Sequence, residues 1–561
     1  MRWRMRVMGI AIAAASLLAP LPAAAAAPAV FGWFDYKGSD PSDRVSAGAA
    51  DYRNPILHGF YPDPSVTRAG RDFYLVNSTF AWFPGIPVWK SRDLVHWTQI
   101  GNAIDRPGQL DFKRLGLSRG VFAPSIHFHA GTFYIVNTCV DCGGNFLVTA
   151  KNPAGPWSDP VWLPALEGGI DPSLFFDTDG SAWMVNNGPP PGQPLYEGHR
   201  AIWVQRFDPR TNKTFGFRTM LVNGGVDISK KPVWIEGPHI LKRGEWYYLT
   251  CAEGGTAEGH SQVVFRSRRP DGGFVPFAGN PILTQRDLPR DRPIPITSAG
   301  HAQLVDTPDG RWWATFLATR PYRGDFYNTG RETFLLPVTW QDGWPRITGP
   351  GESIPYAHNV PQLPRDRAPV PTSGGFEVRD DFRGPALPVY WMQMRNPRQR
   401  WWRLSGGSLS IDGRPVRLGD NANPSFLARR QQHMDAVATT ELRSCPVTEG
   451  EEAGLAALQN DDFWYLLAVT RSGGAAKLVL KRRAGPGEPA GGTVVAEAPF
   501  RCGAPVRLRA EAKGPTYNFS YASADGIWHT LGGPQDGTML STKTAGGFVG
   551  AVFGLYAYAP R

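Results

Sequence analysis

GRDFYLV (70–76), GTFYIV (131–136), GSAWMV (180–185), GEWYYL (244–249) and GRWWATF (310–316) are five versions of one phrase, a glycine with an aromatic residue three positions later inside an apolar run. A second phrase precedes each glycine by seven to nine residues: DPSV from Asp63, APSI from Ala123, DPSL from Asp171, GPHI from Gly237 and HAQL from His301. A short strand, a glycine turn and a longer aromatic strand, recurring every roughly 50 to 65 residues, predict a five-bladed β-propeller. Equivalent positions on equivalent strands lie at one height around one axis, so Asp63, Asp171 and His301 are expected to converge. Glu236 stands one residue ahead of the aligned position in the fourth repeat. Acids gathered at one end of a propeller axis point to an active site there.

The propeller is expected over residues 50–348. After GRETFLLPVTW (330–340) the aromatic phrase stops, and residues 349–375 read as a stiff, proline-rich connector. From 376 to 561, short segments such as AVATTEL (436–442), WYLLAVT (464–470) and VRLRAEA (506–512) alternate apolar and polar residues between turns. They predict a second domain, a jelly-roll, concanavalin- or lectin-like β-sandwich. The chain is expected to be all-β.

Residues 1–27 carry a basic start (Arg2, Arg4, Arg6), an apolar run from Val7 to Leu18 and the tract Ala23–Ala27. That is the pattern of a signal peptide, so a secreted or periplasmic protein is expected. The run is short for a membrane anchor, and no later stretch reaches spanning length. The net charge of +10 is scattered rather than clustered and accompanies no nucleic-acid motif, so a nucleic-acid partner is not expected. Aromatic residues make up 12% of the chain, with 20 Trp. Most are expected between blades, while exposed Trp and Tyr faces suit the C–H faces of sugars. Among five cysteines, Cys139 and Cys142 form a C-x-x-C without a redox or zinc context, and Cys445 and Cys502 could pair.

Hydrolysis of a glycosidic bond needs one carboxylic acid to protonate the leaving oxygen and one carboxylate to activate water or attack the sugar. Asp63 lies in GFYPDPS and Asp171 in GGIDPSL, where prolines stiffen the backbone; Glu236 lies in WIEGPHI beside a glycine. A lone Asp-Pro is usually a turn or cap. Three acids in register with a repeat are much harder to explain that way. For Glu236 to face the axis, a β-bulge near Gly237 is expected.

The series NPILHGFYPDPSV (54–66), NSTFAWFPGIPVWKSRDLVHW (77–97), GVFAPSI (120–126), IDPSLFFDTDG (170–180), IEGPHI (235–240), AEGGT (252–256), GHAQLV (300–305) and GRETFLLPVTW (330–340) resembles glycoside hydrolase family 43, the β-xylosidase and α-L-arabinofuranosidase group. The resemblance runs from Asn54 to the C-terminus and implies the two-domain members with a C-terminal sandwich. It implies exo-acting, inverting hydrolysis of xylo- or arabino-oligosaccharides, with Asp63 as general base, Glu236 as general acid and Asp171 as the group that orients Glu236 and raises its pKa. It also implies substrate contacts from Arg331, His301, Phe80, Phe122 and Phe548. Arg331 could instead pair with Glu332, and His301 could be a core histidine. No cofactor is implied as required, although some members hold a hydrated calcium near the position of His301. Where some xylosidases place a pocket tryptophan, this chain has Asn186-Asn187-Gly188, so a different pocket wall is expected. A predominantly arabinofuranosidase activity, and a non-catalytic sugar-binding propeller, are the alternatives; a retaining fructan hydrolase would show Arg-Asp-Pro where Ile170 precedes Asp171.

Overall fold

The computed structural model describes residues 27–166 and 168–560. The signal peptide expected at 1–27 lies, but for its last residue, outside them. Five antiparallel sheets surround one axis. Their innermost strands are Ser65–Ala69, Ser125–His129, Ile170–Phe176, Glu236–Arg243 and Thr297–Asp306, each next to its neighbour around the ring. The turns after these strands carry Gly70, Gly131, Gly180, Gly244 and Gly310, with φ from +60° to +84°. A Cβ at any of the five would meet nothing within 4 Å. Glycine is therefore selected there for its left-handed backbone, not for space.

The NPIL stretch closes the ring. Asn54 donates its side-chain amide to the Leu335 carbonyl (2.9 Å) and accepts from the Leu335 N–H (2.9 Å). Ile56 N–H donates to Thr333 O at 2.9 Å. The first propeller residues thus lie against the last blade's strand Glu332–Gln341.

The sandwich differs from the expected span 376–561. Strand Ala29–Ser39, ahead of the propeller in sequence, sits between Ser408–Ile411 and Asp435–Leu442 in one of its two sheets. Phe31, Phe34 and Tyr36 from this strand fill the sandwich core. The opposite sheet recruits Trp82–Phe83 from the first blade, paired with Met392–Met394. The connector 349–375 is also anchored: Ala357–Asn359 pairs with Asp51–Arg53, and Ile354 and Tyr356 are buried against the fifth blade. One apolar cluster crosses the domain boundary, from Phe60, Phe80, Trp82 and Phe112 to Met394, Phe426, Ala456 and Trp464. Disulfides join Cys139 to Cys142 and Cys445 to Cys502; Cys251 is free and buried.

A core shared in this way couples the two domains. Phe426→Ala is expected to cost about 3–5 kcal/mol and to lower one common unfolding transition in calorimetry. Two endotherms, with the propeller's unmoved, would contradict the coupling.

Candidate active site

Asp63, Asp171 and His301 hold φ of +52°, +53° and +52°, and Gly237 in the fourth repeat holds +56°. All four lead the second phrase read from the sequence. In the third, fourth and fifth blades the pairing register shifts at this point, between Ile170 and Ser173, Glu236 and His239, and Gly300 and Gln303. Each is a β-bulge with a left-handed residue, which re-aims the neighbouring side chain. The bulge expected at Gly237 is present. Asp tolerates this backbone better than most residues because its short polar side chain bonds locally. Gly237 is required on a second count, since a Cβ there would lie 2.6 Å from His301 Nε2.

These devices bring every site residue named from the sequence to one pocket. Asp63, Phe80, Phe122, Asp171, Glu236, His301, Arg331 and Phe548 line it, with Ala123, Ile170 and Thr256. Its cavity volume is about 70 Å3, tight for a ligand site. Three aromatic rings form one side: Phe80 stacks on Phe548 at 5.9 Å, and Phe122 meets both edge-on at 5.6 and 5.7 Å. Phe548 comes from the sandwich, where its N–H donates to Ser118 Oγ at 2.8 Å. Asn186-Asn187-Gly188, which brings no tryptophan to the wall, does not line the pocket. Asn186 and Asn187 are buried behind the lining, because Asn187 donates to Ile235 O (2.6 Å) and accepts from Arg200 Nε (2.9 Å).

The acids occupy different electrostatic settings. Asp63 accepts from Ser78 Oγ (2.5 Å) and from Arg331 Nη1 (3.3 Å), with His301 Nδ1 3.6 Å away. Burial alone would raise its carboxyl; Arg331, then His301 and the Ser78 hydroxyl, outweigh burial and hold it below the ordinary carboxylate value. Glu236 has burial and the charges of Asp171 and Asp63 acting together, and is pushed up to about 8. Asp171 is also raised, chiefly by burial, and accepts from Gly237 N–H at 3.1 Å, which places it beside Glu236. A pair of carboxyls driven apart in this way provides one acid and one base at the same pH.

Arg331 is available to Asp63 because Glu332 is engaged elsewhere. Arg320, fully buried, donates to Glu332 (2.6 and 2.9 Å) and to Asp40 (2.6 Å). Thr256 accepts from Arg331 Nη1 at 2.7 Å. Thr256 and Ser78 were not singled out from the sequence, although AEGGT and NST contain them. Their signal was the motif rather than the residue type.

Among the described residues no cluster of three ligating side chains includes His301, so a calcium ion beside it would take most of its six to eight oxygen ligands from water. Among the described residues the only cluster able to ligate a metal is Asp40, His58 and His433, where the Arg320 guanidinium already supplies the positive charge. The buried His127 and His260 imidazoles near the axis are held neutral by burial, at about 3.

Removing Arg320 leaves buried Glu332 without a cation and Asp40 with His58 alone. Arg320→Ala is expected to cost about 3–5 kcal/mol in urea unfolding, whereas an exposed ion pair such as Arg403–Asp412 should cost under about 1 kcal/mol.

The profile of Glycosyl hydrolases family 43 matches residues 52–345, and that of the Beta xylosidase C-terminal Concanavalin A-like domain matches residues 379–561. The chain is 37% identical over 523 residues to the protein named Non-reducing end alpha-L-arabinofuranosidase BoGH43B of Bacteroides ovatus, covering 91% of this chain and 92% of that one. It is 38% identical over 510 residues to a Xylosidase/arabinosidase of Butyrivibrio fibrisolvens, covering 90% and 95%. A crystal structure of a GH43_12 protein from a capybara gut metagenome superposes with a TM-score of 0.86 at 38% identity, over 95% of this chain and all of that one. With the family 43 profile matched over more than half of the chain and the acids held in one propeller pocket, the chain belongs to glycosyl hydrolase family 43 and is a glycoside hydrolase.

Proposed function

We propose that this enzyme removes single terminal pentose units, β-xylose or α-L-arabinofuranose, from the non-reducing ends of oligosaccharides, with inversion at the anomeric carbon. The observation that carries the reading is the convergence of Asp63, Asp171 and Glu236 in one small pocket, with Arg331 and Ser78 bonded to Asp63 alone, which favours an ionised Asp63 and a protonated Glu236. Glu236, protonated at neutral pH, gives its proton to the glycosidic oxygen as that bond breaks. Asp63, ionised, takes a proton from the water that attacks the opposite face of the sugar. Asp171 supplies the like charge that keeps Glu236 protonated and fixes the backbone beside it. Arg331, anchored on Thr256, holds Asp63 charged and offers donors to sugar hydroxyls. The three phenylalanine rings close the pocket around one ring-sized unit, which supports exo-action. The names of the relatives support both pentoses.

Proton NMR during the first minutes of hydrolysis tests the reading. A β-xyloside is expected to give α-xylose first, and a xylan- or arabinan-derived polymer to release monosaccharide as its only small early product. Initial β-xylose would refute inversion and the role of Asp63; early release of di- and trisaccharides from the polymer would refute exo-action. Paired nitrophenyl β-xyloside and α-L-arabinofuranoside assays rank the two sugars.

The pH profile follows from the same shifts. The ionised Asp63 is needed, so kcat/KM should fall on the acid side only below the ordinary carboxylate range. The protonated Glu236 is needed, so it should fall again near pH 8. Asp171→Asn removes a like charge and so lowers the Glu236 pKa, moving the alkaline limb to lower pH by about one unit. A limb that stays fixed would remove Asp171 from that role.

A further inference from the structure

We propose that Trp234, with Arg200 across its ring, is the platform on which the leaving saccharide unit stacks. The inference rests on the assignment of Glu236 as general acid, because the acid must reach the glycosidic oxygen and the departing unit therefore lies on its side of the pocket.

Trp234 precedes Glu236 by two residues, and 39% of it is exposed. Its φ is +49°, a region in which a bulky side chain is rare, and strained backbone of this kind gathers at ligand sites. The strain is held by neighbours on two loops. Trp234 N–H donates to Gly198 O at 3.0 Å, and Val233 O accepts from Gly254 N–H at 2.9 Å. Gly198 closes against the indole edge, where a Cβ would stand 3.6 Å from Cδ1 and Nε1. The tryptophan is thus fixed in orientation while remaining open to solvent, so a ligand meeting it loses little side-chain freedom.

Arg200 joins this platform to the acids. Its guanidinium lies 5.2 Å from the Trp234 ring centroid. Its hydrogen bonds go to Asn187 Oδ1 (2.9 and 2.6 Å) and Gly168 O (2.7 Å), an amide and a carbonyl rather than a carboxylate. Asn187 donates in turn to Ile235 O, the residue between Trp234 and Glu236. With the guanidinium over one face of the ring, the remaining exposed indole surface near the proton donor matches a sugar ring, whose C–H face packs on it while its hydroxyls accept from the cation. An isolated exposed tryptophan would need no explanation; one on a strained, hydrogen-bonded backbone two residues from the general acid does.

The test compares Trp234→Ala, Trp234→Phe and the unaltered enzyme on methyl β-xyloside and xylotriose, or on the arabinose equivalents if those are turned over faster. In Trp234→Ala the ratio of kcat/KM for xylotriose to that for the methyl glycoside is expected to fall about tenfold, through KM, and Trp234→Phe is expected to recover most of it. Binding is read separately by calorimetry in a Glu236→Gln background, where xylotriose should lose affinity with Trp234→Ala and xylose should not. Equal losses on both substrates, or an unchanged ratio, would overturn the platform. An unaltered enzyme that releases no terminal pentose from either substrate would instead overturn the function on which it rests. If Trp234→Ala fails to fold, Trp234→Leu, which also removes the flat ring, carries the same comparison against Trp234→Phe.

Discussion

The site depends on a backbone constraint repeated around the ring. Where each inner strand begins, an ordinary extended chain would alternate its side chains and send half of them away from the axis. Left-handed residues at Asp63, Asp171, Gly237 and His301, three of them in bulges, break that alternation at one height. Each non-glycine residue held there costs about 1–3 kcal/mol, and the closed ring of blades over-determines the conformation. In the fourth blade a side chain at the aligned position would collide with His301. The functional carboxyl is therefore displaced by one residue, to Glu236.

Charge placement follows from this geometry. Three carboxyls brought within mutual influence cannot all ionise readily, and the burden falls unequally because only Asp63 has Arg331 and Ser78 beside it. That arrangement requires Glu332 to be occupied by another cation. Arg320 fills this need, and by also binding Asp40 it ties the segment after the first sandwich strand to the last blade. One buried ion network thus keeps a neighbouring arginine free and holds the domains in register.

Much of this was legible in the sequence, for stated reasons. The glycine turns and the DPSV-like phrases mark positions where φ is constrained, and constrained positions repeat visibly. The offset of Glu236 was visible as a misalignment, and the bulge that resolves it was the only physical way to bring the acid to the axis. The membership of Ala29–Ser39 in the sandwich was not legible, because pairing partners some 400 residues away leave no local signature. The task of Asn187, which satisfies the Ile235 carbonyl and the Arg200 guanidinium behind the pocket, was not legible for a related reason.

Phe548 reaches the pocket from a domain whose other residues never touch it. Close contact between Gly330 and Gly550, beside Arg331, leaves no slack in that approach: a Cβ at Gly330 would lie 2.9 Å from Gly550 N. The two domains are consequently not interchangeable modules. Exchanging sandwiches between relatives would alter the volume offered to the terminal sugar even where every propeller residue is kept. Selection for a new substrate can then act through the seam between domains, far from any acid, and drift at that seam would be read out as a change of diet.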